Sequence, residues 1–301
     1  MVNNLVDTNK VLDVLDPDAR LVSISVVPGG VTAETSLIEY ITTNETKKVI
    51  CRKFPVGNHA KYYKKVENEV KLLTILQDLS FPGPKVLFSD YKNETFHFPL
   101  IILEYIDGET IFNNNDIIHY IGEFTRNLVA IHSIDLTKVN FSFLPNLEEL
   151  IKEELSKVAS YESIKNLLKS SLEEPINELI NAKVLVHGDY WPGNLLWLNG
   201  KINATIDWED ACVGNPLYDI ATARLELLWA FDEHAMKHFT DFYKKLIPNT
   251  NFEYLPIWDL VVIERKKRVI DTWGLDAYKV NAMKVKLDWF ERKALNNLKR
   301  F

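Results

Sequence analysis

Two acids and one amide lie at spacings that suit the transfer of a phosphoryl group. Asp189 occurs in the run His-Gly-Asp-Tyr-Trp-Pro-Gly-Asn, Asn194 ends that run, and Asp207 follows in the run Ile-Asp-Trp-Glu. Phosphoryl transfer needs a carboxylate that orients an acceptor hydroxyl and takes its proton. It also needs oxygen ligands, such as an amide and a second carboxylate, that hold Mg2+ against the phosphates of a nucleotide. These residues therefore indicate a phosphoryl-transfer site.

Short strands are expected to position these three residues. The predicted strands are Val184–Val186, Leu195–Leu198 and Lys201–Ile206. The last two flank Asn199-Gly200, a dipeptide that predicts a β-hairpin because both turn positions need positive φ. Asp189 and Asn194 then follow the first strand, and Asp207 follows the hairpin.

The remainder of the chain after residue 108 is predicted to be mainly helical, since its apolar residues recur at helical spacing. The predicted helical stretches are Ile117–His132, Asn146–Ala182, Leu217–Phe231, Asp232–Leu246, Tyr254–Trp273 and Ala277–Leu298.

The first hundred residues alternate short apolar runs with turn residues, a pattern typical of a sheet. The predicted strands are Leu21–Val27, Thr35–Thr42, Lys47–Lys53, Lys85–Ser89 and Pro99–Tyr105. One amphipathic helix is predicted over Lys61–Leu79, before the helix-stopping run Phe-Pro-Gly-Pro. We therefore predict an N-terminal lobe at 1–103, a connection at 104–108 and a helical C-terminal lobe at 109–301.

The composition excludes several classes of protein. The 301 residues include 35 Lys and Arg against 42 Asp and Glu, a formal net charge of −7 that argues against binding nucleic acid or an anionic membrane. Two cysteines, Cys51 and Cys212, exclude a disulfide scaffold. The N-terminal residues lack the basic flank and apolar run of a signal peptide, and no run of about 18 apolar residues occurs. We predict a cytoplasmic protein with no nucleic-acid or membrane partner.

At three spaced motifs the chain resembles the aminoglycoside phosphotransferase and choline kinase family of kinase-like enzymes. The motifs are His187–Asn194, Ile206–Glu209 and Gly214–Ala221. The resemblance implies a bilobal α+β fold of the protein-kinase type. The small N-terminal lobe would hold an antiparallel β-sheet and one helix, and the larger, mainly helical C-terminal lobe would carry the catalytic loop and the acceptor site.

The resemblance also implies a role for each matching residue. Asp189 would be the catalytic base, His187 would support its loop, and Asn194 and Asp207 would hold Mg2+. Asp219 matches a buried aspartate that braces the catalytic loop through backbone amides. Plainer interpretations stay open: Asp219 could be an acid favoured by a helix dipole, and His187 could be a core histidine.

The N-terminal lobe would bind ATP, with GTP left open as the donor. Its third strand should supply a cation for the phosphates, and its helix a glutamate that holds this cation. The register of the family favours Arg52, and Lys53 is the rival on the opposite face of the strand. Glu69 is the matching acid, with Glu67 as the alternative.

Two further segments are expected to contact the nucleotide. Gly29, Gly30 and Thr32 lie where a phosphate-covering loop belongs, so backbone amides and the Thr32 hydroxyl could meet phosphate oxygens. Glu104 and Ile106 lie where members of the family bind adenine through the main chain. The first segment could also be a simple glycine turn.

We expect an ATP-dependent O-phosphotransferase that moves the γ-phosphate to a hydroxyl of a small molecule, either aminoglycoside-like or another metabolite. The acceptor could be cationic, or the acids near the motifs could form a solvated face; these acids are Glu209, Asp210, Glu226, Asp232 and Glu233. Tryptophans could form a cage for a quaternary amine or simply belong to the core.

Other functions stay open. A choline- or homoserine-type kinase is one, although Gly188 replaces the asparagine usual in choline kinases and Gly193 replaces an acid common in homoserine kinases. A nucleotide-binding protein without turnover is another. A hydrolase with Asp189 and Asp207 as paired acid and base is a third. A protein kinase is disfavoured, because Asp219 follows Asp207 too closely for an activation segment.

Overall fold

The computed structural model describes residues 7–28, 32–43, 45–56, 59–112, 116–156 and 183–298, with the main chain alone at 59–61 and 152–156. The chain divides into two compact units. The first comprises Met1–Gly108 and Asn203–Glu209, and the second Glu109–Ile202 and Asp210–Phe301. No helix in the described part of the chain is long and apolar enough to cross a membrane.

The first unit contains a five-stranded antiparallel sheet in the order β1-β2-β3-β5-β4. Its elements are α1 (Thr8–Leu15), β1 (Arg20–Val26), β2 (Glu34–Ile41), β3 (Thr46–Lys53), α2 (His59–Asp78), β4 (Val86–Asp90) and β5 (Leu100–Glu104). All five strands were predicted, each to within one residue at either end. Leu72, Leu73 and Leu76 of α2 are buried, as expected for the apolar face of an amphipathic helix.

Helix α1 was not predicted. Asp7 caps it by accepting a hydrogen bond from the N–H of Lys10, and Val11 and Leu12 pack into the core beside Tyr40 of the sheet. A helix of eight residues has too few turns to show a convincing period, so its burial in tertiary structure decides its formation.

The second unit is mainly helical. Its helices are α3 (Ile117–His132), α4 (Leu147–Ser156), α5 (Leu217–Ala230), α6 (Glu233–Leu246), α7 (Leu255–Val269) and α8 (Ala277–Leu298), with 3-10 turns at Pro192–Asn194 and Ile270–Thr272. The stretch predicted as helical from Asn146 to Ala182 is confirmed over α4, and residues 157–182 lie outside the described residues.

Short strands frame the motifs. They are β6 (Val184–Val186), β7 (Leu195–Leu198), β8 (Lys201–Thr205) and β9 (Cys212–Gly214). The predicted hairpin forms between β7 and β8, with φ of 52° at Asn199 and 75° at Gly200. Strand β9, which pairs antiparallel with β6, was not predicted, because three residues carry no readable period.

Candidate active site

A loop that follows β6 carries the first motif, and Asp219 of α5 fixes its main chain. The Asp219 carboxylate accepts hydrogen bonds from the N–H groups of His187, at 2.7 Å, and Gly188, at 2.9 Å. Gly188 has φ +86°, and a Cβ atom there would lie 2.1 Å from the carbonyl oxygen of Asp210, so this position needs glycine. The loop is therefore locked immediately before Asp189.

A buried histidine, His132, also contacts the Asp219 carboxylate, and it was not predicted from the sequence. His132, the last residue of α3, lies with its Nε2 3.1 Å from Asp219 Oδ2 and its Nδ1 2.7 Å from the Tyr243 hydroxyl. A proton on Nε2 lets His132 donate to the Asp219 carboxylate, and Nδ1 lies within hydrogen-bond distance of the tyrosine hydroxyl. Three donors thus satisfy the fully buried Asp219.

Within the loop, Asp189 is tied to its neighbours. Its N–H donates to Nδ1 of His187 at 3.3 Å. The side-chain nitrogen of Asn194 donates to the Asp189 carbonyl oxygen at 2.9 Å and lies 3.5 Å from carboxylate Oδ2. Because the Asn194 nitrogen is used in this way, its amide oxygen remains as an acceptor.

Two consecutive cations of α7 contact this loop, and neither was predicted. Lys266 Nζ lies 3.2 Å from Asp189 Oδ1 and 2.7 Å from Glu226 Oε1. Arg265 donates to the carbonyl oxygen of Gly188 at 3.1 Å and also binds Asp210. In the sequence these cations begin the run Arg-Lys-Lys-Arg, which is typical of a solvated helix C-terminus.

Buried charges surround the Lys266 amine. Burial by itself lowers the pKa of this amine, but Asp189 and Glu226 raise it above its ordinary value. Burial likewise raises the pKa of Glu226, while Lys266 opposes that shift. The two acids therefore keep Lys266 in its charged form, whereas at Glu226 the effect of burial exceeds that of the lysine.

In the first unit, Arg52 is the centre of an ion-pair cluster. It binds Glu69 through one guanidinium nitrogen, and through another it lies 2.9 Å from Asp207 and 3.0 Å from Glu209. Lys53 instead lies 3.1 Å from Glu34 and over the ring of Phe98. The structure therefore brings together Arg52 and Glu69 rather than Lys53 and Glu69.

The alternative helix acid has other partners. Glu67 pairs with Lys64 and Lys71 on the exposed face of α2. Glu69, by contrast, is only 1% exposed. The acid that the sequence favoured is thus the one that reaches the arginine.

The Arg52 cluster holds more acids than cations. Burial raises the pKa of Glu69 to about 7, an effect that Arg52 opposes and that Asp207 and Glu209 reinforce. Burial and the charge of Asp207 raise the pKa of Glu209, while Lys65, 3.5 Å from it, lowers that pKa. An additional positive charge at Asp207 would therefore stabilise the cluster.

Asp207 itself has an unusual backbone. Its φ is +64°, in the left-handed region that few residues other than glycine adopt, although aspartate and asparagine do so more often than most. The next residue, Trp208, is buried, donates its ring N–H to the Thr205 carbonyl oxygen and packs edge-on against Phe81. The main chain is anchored, while 42% of the Asp207 side chain stays exposed.

The donor set fits magnesium. Mg2+ prefers oxygen ligands and usually takes one or two from protein, with water and phosphate completing its shell. Asn194 has an amide oxygen and Asp207 a carboxylate, the ligand types that Mg2+ prefers. No group of three or more His, Cys, Asp or Glu residues within the described ranges could hold a metal ion without other ligands.

Five further residues were predicted to contact the nucleotide, and three of them lie within the described ranges. Gly29 and Gly30 lie outside the described residues, and the Thr32 hydroxyl bonds to Glu209. Glu104 ends β5, where its N–H donates to Lys85. In the part of the chain that the structure describes, no backbone carbonyl accepts a hydrogen bond from the N–H of Ile106.

The acids considered for a cationic acceptor are engaged within the protein. Glu209 pairs with Arg52 and Lys65, Asp210 with Arg265, Glu226 with Lys266, and Glu233 with Lys293, while Asp232 caps α6. The tryptophans considered for an amine cage contact other aromatic rings: Trp208 packs with Phe81, Trp258 with Tyr218, and Trp229 with Trp273.

A family model described as "Phosphotransferase enzyme family" matches residues 23–245 of this chain. The chain belongs to the phosphotransferase enzyme family. The predicted resemblance is thereby confirmed. The match includes the motif His187–Asn194, Asp207 and Asp219, but ends before α7 and its two cations.

Solved structures of this phosphotransferase type share the fold. The choline kinase LicA from Streptococcus pneumoniae is 20% identical, with 98% of each chain covered and a TM-score of 0.66. A thermostable mutant of aminoglycoside phosphotransferase APH(4)-Ia, in a ternary complex with AMP-PNP and hygromycin B, is 16% identical over 95% of this chain and 98% of that chain, with a TM-score of 0.62. The predicted kinase-like α+β fold is confirmed.

A curated relative is a larger protein. Acyl-CoA dehydrogenase family member 11 of Rattus norvegicus is 24% identical over 199 residues, which cover 60% of this chain and 25% of the relative. The chain thus spans about a quarter of the length of the curated relatives it matches.

Proposed function

We propose that this chain is an ATP-dependent O-phosphotransferase that moves the γ-phosphate to a hydroxyl of a small molecule. The observation that carries the proposal is that Asp189 combines a fixed main chain with an accessible carboxylate. Its loop is locked by Asp219, while a third of the Asp189 side chain stays exposed. A rigid loop that presents one accessible carboxylate suits a base that must meet an incoming hydroxyl.

Asp189 would orient the acceptor hydroxyl and accept its proton as the acceptor oxygen attacks the γ-phosphorus. The bond to the bridging oxygen of ATP breaks in line with this attack, and ADP leaves without a covalent enzyme intermediate. Catalysis would come mainly from positioning and charge stabilisation. His187 contributes by accepting the N–H of Asp189 and so supports the loop.

Arg52 would bind the phosphates of the nucleotide, and Glu69 would hold the guanidinium in place. The support is its burial and its pairing with Glu69, the arrangement that phosphoryl-transfer sites use for their phosphate-binding cation. Phosphate oxygens would replace the carboxylates of Asp207 and Glu209 on the other guanidinium nitrogen.

Asn194 and Asp207 are the residues that would hold Mg2+. The oxygen of Asn194 is left as an acceptor, and the acid-rich cluster around Asp207 favours an added positive charge. When bound, Mg2+ would neutralise charge on the transferring phosphates.

Adenine would be recognised by the main chain at Glu104 and Ile106, and Gly29, Gly30 and Thr32 would cover the phosphates. Among the described residues, no backbone carbonyl accepts a hydrogen bond from the N–H of Ile106, which supports this role. A solved relative in complex with AMP-PNP supports ATP as the donor, and GTP is the alternative to test. The net charge of −7 supports a protein without nucleic-acid partners. We also expect the protein to be cytoplasmic, since its two cysteines indicate no disulfide scaffold.

The acceptor is proposed to be a hydroxylated small molecule that need not be cationic. The acids that could attract a polyamine already have internal partners, such as Lys266 for Glu226 and Arg265 for Asp210. Aminoglycosides, choline and homoserine nevertheless belong in a test, because solved relatives include a complex with hygromycin B and a choline kinase. The name of the rat relative adds an acyl-CoA to the test, and the form tested must carry a hydroxyl to act as an acceptor.

Release of ADP from Mg·ATP tests the proposal directly. The assay would run against aminoglycosides, choline, ethanolamine, homoserine, simple sugars and a hydroxyacyl-CoA, with Asp189→Asn as the blank and GTP as the second donor. A rise with one acceptor class supports the proposed function. Binding of Mg·ATP without release of ADP from any acceptor would favour a nucleotide-binding protein without turnover.

A further inference from the structure

We propose that Lys266 is a positioning residue for the catalytic base, and that Glu226 acts through it. This inference rests on the proposed function, because it assigns a role relative to Asp189 as base. Lys266 lies outside the residues matched by the family model, which end at 245. Its place in the site comes only from the contacts of α7.

Lys266 is the close partner of the Asp189 carboxylate. Its Nζ lies 3.2 Å from Oδ1, whereas the side-chain nitrogen of Asn194 lies 3.5 Å from Oδ2, at the outer limit of a hydrogen bond. One carboxylate oxygen is thus fixed by a cation, and the other is left to receive the proton of an acceptor. Fixing Oδ1 restrains rotation of the carboxylate about its Cβ–Cγ bond.

Glu226 holds the lysine in this position. Lysine is a flexible side chain that seldom keeps one conformation without a partner. Here Nζ lies 2.7 Å from Glu226 Oε1 and 5.3 Å from the centre of the Trp273 ring, and only 9% of each side chain of the Lys266–Glu226 pair is exposed. Glu226, Lys266 and Asp189 therefore form a chain of contacts from α5 through α7 to the loop.

A second buried ion pair provides a matched control. Arg224 and Asp259 also link α5 to α7, with N···O distances of 3.0 and 3.1 Å, and Arg224 binds Thr240 as well. This pair is similarly buried and joins the same helices, but no contact with Asp189 is among its interactions.

The experiment compares Lys266→Met, the double variant Lys266→Met/Glu226→Gln, and the control Arg224→Met/Asp259→Asn. Steady-state kcat and the KM for ATP are measured with the acceptor that the wild type uses, and thermal unfolding gives Tm. Lys266→Met leaves a buried carboxylate without its cation and should lower Tm. The double variant removes that carboxylate charge and should recover Tm.

We expect kcat to fall about 10- to 100-fold in both Lys266 variants, with the KM for ATP within about twofold of wild type. The control likewise removes both charges of a buried pair, and it should leave kcat within about twofold of wild type. Recovery of wild-type kcat in the double variant would overturn the inference, since Lys266 would then only neutralise Glu226. An equal loss of kcat in the control would overturn it too. If the wild type released no ADP with any acceptor, the proposed function would fail first and the inference with it.

Discussion

Arg52 donates a hydrogen bond of 2.9 Å to the carboxylate of Asp207, which lies 155 residues further along the chain. The same guanidinium binds the buried Glu69 of α2. The proposed phosphate-binding cation thus pairs with a proposed magnesium ligand. Nucleotide binding should exchange this internal ion pair for contacts with phosphate and metal.

Loss of Arg52 should weaken ATP binding far more than loss of Lys53. Arg52→Met removes charge-assisted hydrogen bonds worth about 1.5–3 kcal/mol, or roughly 10- to 100-fold in Kd. Lys53→Met removes a neighbouring cation that pairs with Glu34, so Kd should change less than about threefold. Calorimetric titration with Mg·ATP measures both. Equal losses in the two variants would contradict the assignment of Arg52.

The effect of magnesium on the affinity for ATP should depend on Asp207. In the wild type, EDTA should weaken ATP binding, because the metal joins protein oxygens to phosphate oxygens. Asp207→Asn should bind ATP with nearly the same Kd in Mg2+ and in EDTA. If the ratio of the two Kd values in this variant equalled the wild-type ratio, Asp207 would not belong to the metal site.

The stability of the nucleotide-free protein should fall as the pH rises, because of Glu69. Its pKa is raised to about 7 from the ordinary 4.5, chiefly by burial, so the folded state holds a proton that the unfolded state releases. This contribution is fully present below about 4.5 and is lost as the pH rises through about 7.

Urea unfolding in EDTA between pH 5 and 7.5 measures this slope. Glu69→Gln should reduce the decline in the free energy of unfolding that wild type shows, and the other buried acids with raised pKa values, such as Glu209 and Glu226, account for what remains. Glu67→Gln is the control, since Lys71 and Lys64 lower the pKa of Glu67 and it stays ionised throughout that range. A decline in Glu69→Gln as steep as that of wild type would contradict a raised pKa at Glu69.

Alanine substitutions at two glycines with positive φ, Gly188 and Gly200, test whether transfer requires the fixed main chain before Asp189. Gly188→Ala would place a Cβ atom 2.1 Å from the carbonyl oxygen of Asp210 and should abolish transfer. Gly200 also has a positive φ, +75°, but a Cβ atom there would lie 3.9 Å from the His119 ring, which is an ordinary contact. Gly200→Ala should therefore cost about 1 kcal/mol of stability and leave kcat unchanged. Wild-type kcat in Gly188→Ala would show that a fixed loop is not required.

Local signals in the sequence predicted much of the fold. The dipeptide Asn199-Gly200 predicted a hairpin because both residues readily adopt a positive φ. Strand alternation predicted that Arg52 and Lys53 point to opposite faces of β3. Alternation could not decide which face carries Glu69, because this depends on how α2 packs. The contacts of Lys266 and Arg265 with the catalytic loop span about 77 residues, and no local pattern encodes such a distance.

The function of Asp189 can be tested by one substitution. Asp189→Asn keeps the size and polarity of the side chain but removes the carboxylate that accepts a proton. We expect phosphoryl transfer to the preferred acceptor to fall at least about 100-fold, with Kd for Mg·ATP within about twofold of wild type. Wild-type turnover in Asp189→Asn, with ATP still bound, would contradict the proposed mechanism.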